Sequence, residues 1–278
     1  MTRVIAGRTA VVTGGARGIG AAIVRALIAE GVRVILADVD VELAEQTAGA
    51  LAGPAARVQA RALDVRDLQA FQDLIAGLED EGTPPDILIN NAGIMPLGPF
   101  LEQDPALDDR QLDVNVRGVC NGMRAVLPGM LARRRGHVVN LASTAGVIGI
   151  PNAAVYCGTK HAVIGITEAV RREHLGSGVD FTYVLPSIVA TELTSGTHAL
   201  RYPPPGQPTE VATAVVGALR SGRIEVFVPP FVRMSRLLPA YLPRRAVEAL
   251  GRLFGVDQVF EGIDAEARRA YQQRIEEP

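Results

Sequence analysis

The stretch TGGARGIG (13–20) decides the fold, because it lies between an apolar run and a helical pattern. TAVVTGG (9–15) predicts a buried strand, and IGAAIVRALIAEG (19–31) predicts a helix that stops at a glycine. A strand, a glycine turn and a helix N-terminus together favour phosphate binding, because the helix end offers unpaired N–H groups. The spacing G-x3-G-x-G differs from the common G-x-G-x-x-G. A merely tight turn is the alternative, but the position after the first strand favours a dinucleotide site.

Strand and helix patterns alternate along the rest of the chain. Helices are predicted at 41–53 and 67–82, in a long stretch to about Arg134 that is broken near Pro128, and after Tyr156. Seven apolar runs predict strands, at 9–15, 33–40, 57–65, 86–93, 137–143, 179–187 and 223–230. Six or seven strands that are each followed by a helix predict an α/β fold with a doubly wound parallel sheet of Rossmann type. We expect a single domain over 1–278, with its core at about 5–230 and a C-terminal helical extension at about 231–278.

The composition excludes several classes of protein. The 278 residues are 48% hydrophobic and carry a net charge of −2, so a large core is expected without a general attraction to nucleic acid or anionic membranes. Cys120 and Cys157 form no disulfide framework and are expected to be reduced thiols. The four scattered histidines show no metal-ligand spacing, and we expect no metal. The N-terminus is interpreted as a first strand, and no apolar run is long enough to span a membrane, so a cytoplasmic protein is expected.

Asp38 ends the second predicted strand, 18 residues after Gly20. An acid at this position accepts hydrogen bonds from the adenosine ribose hydroxyls and repels a 2′-phosphate, which favours NAD over NADP. Arg17, in the glycine turn, argues for NADP, because a cation there can meet that phosphate. We give Asp38 the greater weight, since Arg17 can turn to solvent. The alternative for Asp38 is that it caps the next helix.

Lys160 is the only lysine of the chain; the other 27 of its 28 basic residues are arginines. It stands four residues after Tyr156, so both side chains share one face of a helix. A phenol has an ordinary pKa of about 10, and lowering that pKa to about 7 requires roughly 4 kcal/mol of extra stabilisation of the phenolate. A compact ammonium on a flexible stem supplies such charge where a planar guanidinium does not fit. The spacing predicts a proton-transferring tyrosine.

Two polar residues precede this pair. Ser143 follows the strand at 137–143, at the edge of a parallel sheet where ligands bind, so its hydroxyl is placed to polarise a substrate oxygen. Its alternative role is to cap the following helix. Asn115 lies in a helical pattern that disfavours asparagine, which indicates a use for its side chain or carbonyl. A buried structural amide is the alternative.

The motifs of the chain together resemble those of the short-chain dehydrogenases/reductases. They are TGxxxGxG at 13–20, NNAG at 90–93, the asparagine, serine and YxxxK residues just described, and a P-x-x-V-x-T stretch at 186–191. The resemblance covers roughly residues 5 to 230. It implies a Rossmann-type fold, a nicotinamide cofactor, hydride transfer to or from a carbonyl carbon, and a homodimer or homotetramer.

The resemblance also implies roles for individual residues. Tyr156 is the implied general acid/base, with Lys160, Ser143 and Asn115 around it, and Asn115 binds a water that links Lys160 to solvent. The implied cofactor-binding residues are Gly14, Arg17, Gly18, Ile19, Gly20, Asp38, Asp64, Val65, Asn91, Ala92, Gly93, Tyr156, Lys160, Pro186, Val189 and Thr191. Within this set, Asp64 and Val65 contact adenine. Asn91, Ala92 and Gly93 flank the adenosine ribose and brace the sheet, and Val189 and Thr191 hold the carboxamide. One departure is Pro186-Ser187, where the family usually has Pro-Gly.

The segment 231–254 carries five arginines and one glutamate among apolar residues, and prolines at 239 and 243 interrupt it. Three interpretations compete: it packs against another subunit or covers the substrate pocket, it rests on a membrane surface, or it binds an acidic partner. The first is favoured. The polar segment 264–278 is expected to be a solvated helix. The proline-rich stretch 201–208 is expected to be a surface loop or substrate lid.

The sequence as a whole predicts an NAD(H)-dependent alcohol dehydrogenase or carbonyl reductase. Small and apolar residues near 94–100, 144–152 and 187–206 favour a lipophilic alcohol or ketone. Two alternatives remain: an NADPH-dependent ketoreductase of the same fold, and a catalytically silent dinucleotide sensor or scaffold.

Overall fold

A seven-stranded parallel sheet forms the centre of the protein. The computed structural model describes residues 3–53, 57–198 and 204–276. The strands are β1 (Thr9–Thr13), β2 (Arg33–Asp38), β3 (Val58–Ala62), β4 (Ile87–Asn90), β5 (Gly136–Leu141), β6 (Val179–Pro186) and β7 (Glu225–Val228). Their order is β3-β2-β1-β4-β5-β6-β7, and every pairing is parallel. The predicted doubly wound fold is confirmed, and the order reverses between β1 and β4, where such sheets open a ligand crevice.

Helices cover both faces of this sheet. They are α1 (Gly18–Ala29), α2 (Val41–Leu51), α3 (Leu68–Asp80), α4 (Pro105–Leu112), α5 (Gly118–Ala132), α6 (Ala154–Glu173), α7 (Pro208–Ser221), α8 (Met234–Tyr241), α9 (Arg244–Phe254) and α10 (Ala265–Glu276). Ile23 of α1 and Val215 of α7 are fully buried on one face, while Phe71 of α3 and Val163 of α6 are fully buried on the other. Each such side chain contributes about 1.5–3 kcal/mol to folding. Burial on both faces explains why the strands are apolar almost throughout.

A buried polar chain fixes α6 on the sheet. Asn90 Nδ2 donates to Asn140 Oδ1 at 2.8 Å, and Asn140 Nδ2 donates to Thr167 Oγ1 at 2.8 Å. These bonds join β4, β5 and α6, and a buried polar group left without its partner costs about 1–3 kcal/mol. The network therefore holds the helix that carries Tyr156 and Lys160 in one register.

Two predicted helix breaks are wrong. Helix α5 continues through Pro128, and α8 continues through Pro239; only Pro243 separates two helices, as the N-cap of α9. An internal proline removes one hydrogen bond and crowds the preceding turn. In α5, the burial of Leu127 and Met130 against the sheet opposes this cost. The irregularity lies earlier, in a π-helical turn at Asp113–Arg117.

The C-terminal extension folds in two parts. Helices α8 and α9 contain no buried residue, whereas α10 buries Arg268, Tyr271 and Ile275. The prediction of a solvated last helix is wrong, because these three side chains form one stripe at i, i+3 and i+7 that packs against the cleft described below. Within the described parts of the chain, no helix combines the length and apolar character needed to cross a bilayer.

The proline-rich stretch is only partly described. Residues 201–203 lie outside the described residues, so the predicted lid stays a prediction. Beyond them, the Gly206 backbone N–H donates to Ile188 O at 2.8 Å, and Gly206 O accepts from Ala190 N at 2.9 Å. This stretch therefore pairs with the segment after β6 before α7 begins.

His137 gives the fold a measurable pH dependence. It is buried in β5, and its Nε2 lies 2.8 Å from Thr182 Oγ1, which itself donates to Arg223 O. Burial lowers the pKa of His137 from 6.5 to about 4, with Asp180 acting in the opposite direction. Because the unfolded chain binds more protons between about pH 4 and pH 6.5, the free energy of unfolding rises with pH across that window.

Between pH 7 and pH 4, the buried His137 is expected to lower the free energy of unfolding by about 3 kcal/mol. We expect His137→Gln, which keeps a hydrogen-bond donor but does not titrate, to lack this loss. Urea unfolding at both pH values measures the difference. His161→Asn, on the exposed side of α6, is the control and is expected to behave as the unaltered protein. If the unaltered protein and His137→Gln lost the same free energy of unfolding between pH 7 and pH 4, the conclusion that His137 is buried as a neutral imidazole would be contradicted.

Candidate active site

A cleft of about 650 Å³ opens at the carboxyl ends of the central strands. It is where the strand order reverses, as the parallel topology predicts. The candidate residues that line it are Gly14, Arg17, Gly18, Ile19, Gly20, Asp38, Asp64, Val65, Asn91, Ala92, Gly93, Ser143, Tyr156, Lys160, Pro186, Val189 and Thr191. Asn115 lies behind this wall. The structure thus brings every other candidate residue to one cleft.

The glycine turn is built for an anion at the N-terminus of α1. The N-cap residue Arg17 makes no side-chain cap, and the first turn contains no acid. A side chain at Gly20 is excluded, because its Cβ would lie 2.0 Å from Gly14 O, and Gly18 has φ +55. The N-terminus of α1 therefore has no side-chain cap and no acid to offset the positive end of its dipole. These residues fit the pyrophosphate of a dinucleotide.

Asn91 braces this turn rather than facing a ligand with its amide. Its Nδ2 donates to Thr13 O at 3.0 Å and to Gly14 O at 2.9 Å. Thr13 Oγ1 accepts from the backbone N–H groups of Asn91 and Ala92 at 3.1 and 3.2 Å. The ends of β1 and β4 are thereby locked together under the cleft.

Asp38 is held in place by two backbone donors. Its Oδ2 accepts from Ala16 N at 3.0 Å, and its Oδ1 accepts from Asp40 N at 3.1 Å. The cap of α2 is Asp40, whose Oδ1 accepts from Leu43 N at 3.1 Å, so the capping alternative for Asp38 is wrong. A fixed carboxylate thus lies at the end of β2, within the cleft.

Arg17 does not turn to solvent. Its guanidinium pairs with Asp40 and lies 3.5 Å from Glu192 Oε2. Two carboxylates therefore hold the cation of the glycine turn beside the N-terminus of α1.

The end of β3 forms another wall of the cleft. Asp64 accepts two bonds from Arg66 Nε, at 3.0 and 2.9 Å, and one from Arg66 N at 2.9 Å. Burial raises the pKa of Asp64, but the hydrogen bonds from Arg66 outweigh it and hold the pKa below its usual value. Asn121 Nδ2 donates to Val65 O at 3.0 Å, which fixes the loop from below. With its carboxylate engaged by Arg66, Asp64 offers the cleft mainly its backbone.

Tyr156 and Lys160 lie together at the base of the cleft. Lys160 Nζ donates to Leu141 O at 2.8 Å and lies 5.6 Å from the centre of the Tyr156 ring. Burial lowers the pKa of Lys160 to about 8. Burial also raises the pKa of Tyr156, against a hydrogen bond from Ser143 that acts to lower it. The protein alone therefore keeps the phenol protonated, and an acidic phenol requires a further positive charge in the cleft.

Ser143 caps a short helical turn and also faces the cleft. Its Oγ accepts from Ala145 N at 3.1 Å, so it caps the short helical turn Thr144–Gly146. The same hydroxyl lines the cleft beside Tyr156. Capping fixes the direction of the hydroxyl, which favours a defined position for a substrate oxygen.

The side chain of Asn115 is fully engaged away from the cleft. Its Oδ1 accepts from Ile94 N at 2.8 Å, and its Nδ2 donates to Ile94 O at 2.8 Å and to Thr159 Oγ1 at 3.2 Å. Asn115 lies in the π-helical turn, and the hydrogen bonds of its amide join the loop after β4 to α6. The alternative of a buried structural amide fits these bonds.

The segment after β6 accommodates its unusual serine. Outside glycine, only Arg134 and Asn152 have positive φ among the described residues, so Ser187 lies outside the left-handed region. Ser187 N donates to Val228 O at 2.8 Å, and Thr194 Oγ1 donates to Val189 O at 2.7 Å. A Cβ therefore causes no backbone strain at the Pro-Ser step.

Sequence reasoning missed the wall that the C-terminal extension adds to the cleft. Phe260, Tyr271, Arg274 and Ile275 line it together with Met95. Tyr271 Oη accepts from Met95 N at 2.7 Å, which ties α10 to the loop after β4. The only local signal was the i, i+3, i+7 spacing in α10, within an otherwise polar helix.

A model of the family described as short chain dehydrogenase matches residues 8–200 of the chain. Among curated proteins, a sorbitol dehydrogenase from Cereibacter sphaeroides is 38% identical over 224 residues, which cover 79% of this chain and 86% of that protein. The oxidoreductase UcpA from Salmonella typhimurium is 33% identical over 221 residues, covering 79% of this chain and 83% of its own length.

A solved structure extends the likeness to the C-terminal helices. It is described as a short-chain dehydrogenase from Novosphingobium aromaticivorans, has a TM-score of 0.74 and is 26% identical. The match covers 99% of this chain and 95% of the chain in that structure. The whole described architecture, including the part beyond the family match, is therefore similar to that of a known protein.

Proposed function

The chain belongs to the short-chain dehydrogenase family, and on that premise we propose that it transfers a hydride between NAD(H) and the carbinol or carbonyl carbon of a lipophilic alcohol or ketone. The observation that carries the proposal is the grouping of Tyr156, Lys160 and Ser143 at the base of a cleft that begins at an anion-binding turn. Residue spacing alone places the tyrosine and lysine together, but only the fold adds the serine and the turn.

The proposed roles follow from the contacts. Tyr156 moves a proton between its phenol oxygen and the substrate oxygen, and the Ser143 hydroxyl holds that oxygen as charge develops on it. Lys160, held by Leu141 O, supplies a fixed ammonium beside the phenol. A bound nicotinamide supplies the hydride acceptor and, when oxidised, a second positive charge near the phenol.

The fixed carboxylate of Asp38 supports NAD over NADP. A carboxylate and a phosphate oxygen about 4 Å apart repel by about 4 kcal/mol at an effective dielectric constant of 20. Arg17, which motivates the NADPH-dependent alternative, is held between Asp40 and Glu192. Its charge is thereby offset, and the alternative loses support.

We expect Asp38→Asn to raise the ratio of kcat/KM for NADPH over NADH at least tenfold, because it removes the repelling charge. Initial rates with both cofactors measure this ratio, and Asp67→Asn, which removes a similar charge at the N-cap of α3, is the control. An unaltered enzyme that strongly prefers NADPH, or a variant with an unchanged ratio, would contradict the assignment of NAD.

The substrate side of the cleft supports a lipophilic substrate. Met95, Ile150, Leu193, Phe260 and Ile275 line it and present apolar surface. A panel from short alcohols to sterols and retinoids, followed by NADH absorbance, tests the proposal. Turnover of long apolar alcohols supports it. Cofactor binding without turnover of any alcohol or ketone would instead support the silent sensor or scaffold.

We propose a cytoplasmic homodimer or homotetramer, with a small-molecule substrate and no nucleic-acid partner. Helices α8 and α9 expose Met234, Tyr241 and Leu253, an apolar surface that a subunit contact would bury. Light scattering measures the assembly, and binding to anionic liposomes at low salt would favour the membrane.

A further inference from the structure

One carboxylate oxygen joins the two ends of the chain across the cleft. Glu192 Oε2 lies 2.7 Å from Arg274 Nη2 of α10 and 3.5 Å from Arg17 Nη1. Arg17 is the N-cap of α1, and Glu192 follows Thr191 directly. All three side chains line the cleft. A guanidinium from the C-terminal helix therefore sits beside the turn that is built for an anion.

Buried contacts fix α10 in this position. Arg268 is 4% exposed, and its guanidinium donates to Leu193 O at 3.0 Å, to Ser195 O at 3.1 Å and to Met95 O. Tyr271 lies between Arg268 and Arg274, whose guanidinium carbons are 4.6 and 5.9 Å from its ring centre. The helix is thus attached to the segment that follows Glu192 and to the loop after β4, and Arg274 reaches the cleft from a rigid base.

The pair between Arg274 and Glu192 is open to exchange. The two side chains are 36% and 57% exposed, and ion pairs at such exposure contribute only about 0–1 kcal/mol. A guanidinium binds a phosphate group through two parallel hydrogen bonds, which are stronger and more directional. An anion at the N-terminus of α1 can therefore replace the carboxylate as the partner of Arg274.

We infer that Arg274 is a cofactor-binding residue, whose guanidinium binds the pyrophosphate of the dinucleotide together with the glycine turn. Helix α10 then forms part of the cofactor site, and the C-terminal extension serves the cofactor as well as the substrate. The inference rests on the proposed function in requiring that the cleft takes up a dinucleotide.

Binding without turnover tests this inference. NADH fluorescence is titrated with the unaltered protein and with Arg274→Gln, and ADP-ribose and adenosine are measured as competitors. ADP-ribose carries the pyrophosphate without the nicotinamide, and adenosine carries neither. We expect Arg274→Gln to weaken NADH and ADP-ribose about tenfold, the loss of one charge-assisted contact, and to leave adenosine unchanged. Arg269→Gln, on the exposed side of α10, is the matched control and is expected to bind all three normally.

A second variant separates ligand binding from a structural role. Glu192→Gln removes the competing carboxylate charge, and we expect it to bind NADH as tightly as the unaltered protein or more tightly. Amide hydrogen exchange of α10 is expected to slow on adding ADP-ribose, and to slow less in Arg274→Gln.

Three results would overturn the inference: normal ADP-ribose binding by Arg274→Gln, an equal loss of adenosine binding, or a loss in Glu192→Gln that matches Arg274→Gln. The last two would mean that the ion pair only holds the helix in place. If the unaltered protein binds neither NADH nor NADPH, the proposed function itself fails. If the unaltered protein binds and oxidises alcohols with NAD while Arg274→Gln binds ADP-ribose normally, only the inference fails.

Discussion

Tyr156→Phe is expected to lower kcat for alcohol oxidation by about 10²–10⁴-fold, the usual contribution of a positioned acid or base. The phenyl ring keeps the packing of the buried side chain beside Cys157 and Phe260, so the fold is expected to persist. NADH affinity is expected to change little, because the substitution removes only the oxygen that transfers the proton. Steady-state rates and NADH fluorescence titration measure the two quantities separately.

The control for this variant is Tyr241→Phe. Tyr241 is 84% exposed on α8, far from any candidate role in the cleft, and its variant is expected to keep full activity. Unchanged oxidation by Tyr156→Phe, in a folded protein that still binds NADH, would remove the tyrosine from the reaction. A loss of NADH binding equal to the loss of rate would make Tyr156 a binding residue only.

Lys160→Arg is expected to lower kcat/KM at least a hundredfold, although it keeps the positive charge. Lys160 is 6% exposed, and its ammonium donates to Leu141 O. A planar guanidinium is bulkier than this ammonium and cannot place its charge at the same point beside the phenol. A charge moved by a few ångströms in a site of low dielectric loses much of its roughly 4 kcal/mol effect on the phenolate.

Arg172→Lys, on the exposed side of α6, exchanges the same two cations and is expected to have no effect. Full activity of Lys160→Arg would show that charge alone is needed at this position.

The position of Lys160 can also be tested by chemical modification, because it is the only lysine of the chain. An amine-reactive reagent therefore has one side-chain target, and we expect NADH to protect it from modification, as read by mass spectrometry.

The features that local sequence predicts well are those whose physics is local. The glycine turn at 13–20 is close-packed because a Cβ at Gly20 would meet the backbone, and the tyrosine and lysine share a helix face because they are four residues apart. The doubly wound parallel sheet was predicted from the apolar runs, which indicate strands buried on both faces. The fold class and the pairing of Tyr156 with Lys160 therefore needed no long-range information.

The errors arise where tertiary contacts decide. Pro128 stays helical because its neighbours are buried, which a propensity argument does not include. Asn115 occupies a π-helical turn and uses its amide on Ile94, a residue 21 positions earlier. The sequence of helix α10 is mostly polar and predicts a solvated helix, yet Arg268 and Tyr271 bind loops more than 70 residues away in the chain. Such partners are visible only after folding.

The most direct measurement is an ultraviolet difference titration of Tyr156 in the complex with NAD. The chain has no tryptophan and five tyrosines, so phenolate absorbance near 295 nm is unobscured, and Tyr156→Phe supplies the blank. We predict that one phenolate appears with an apparent pKa of about 7 in the complex, and only above about 10 in the protein alone. A complex in which Tyr156 stays protonated to the same pH as in the protein alone would contradict the proposal that Lys160 and the bound ring make this phenol acidic.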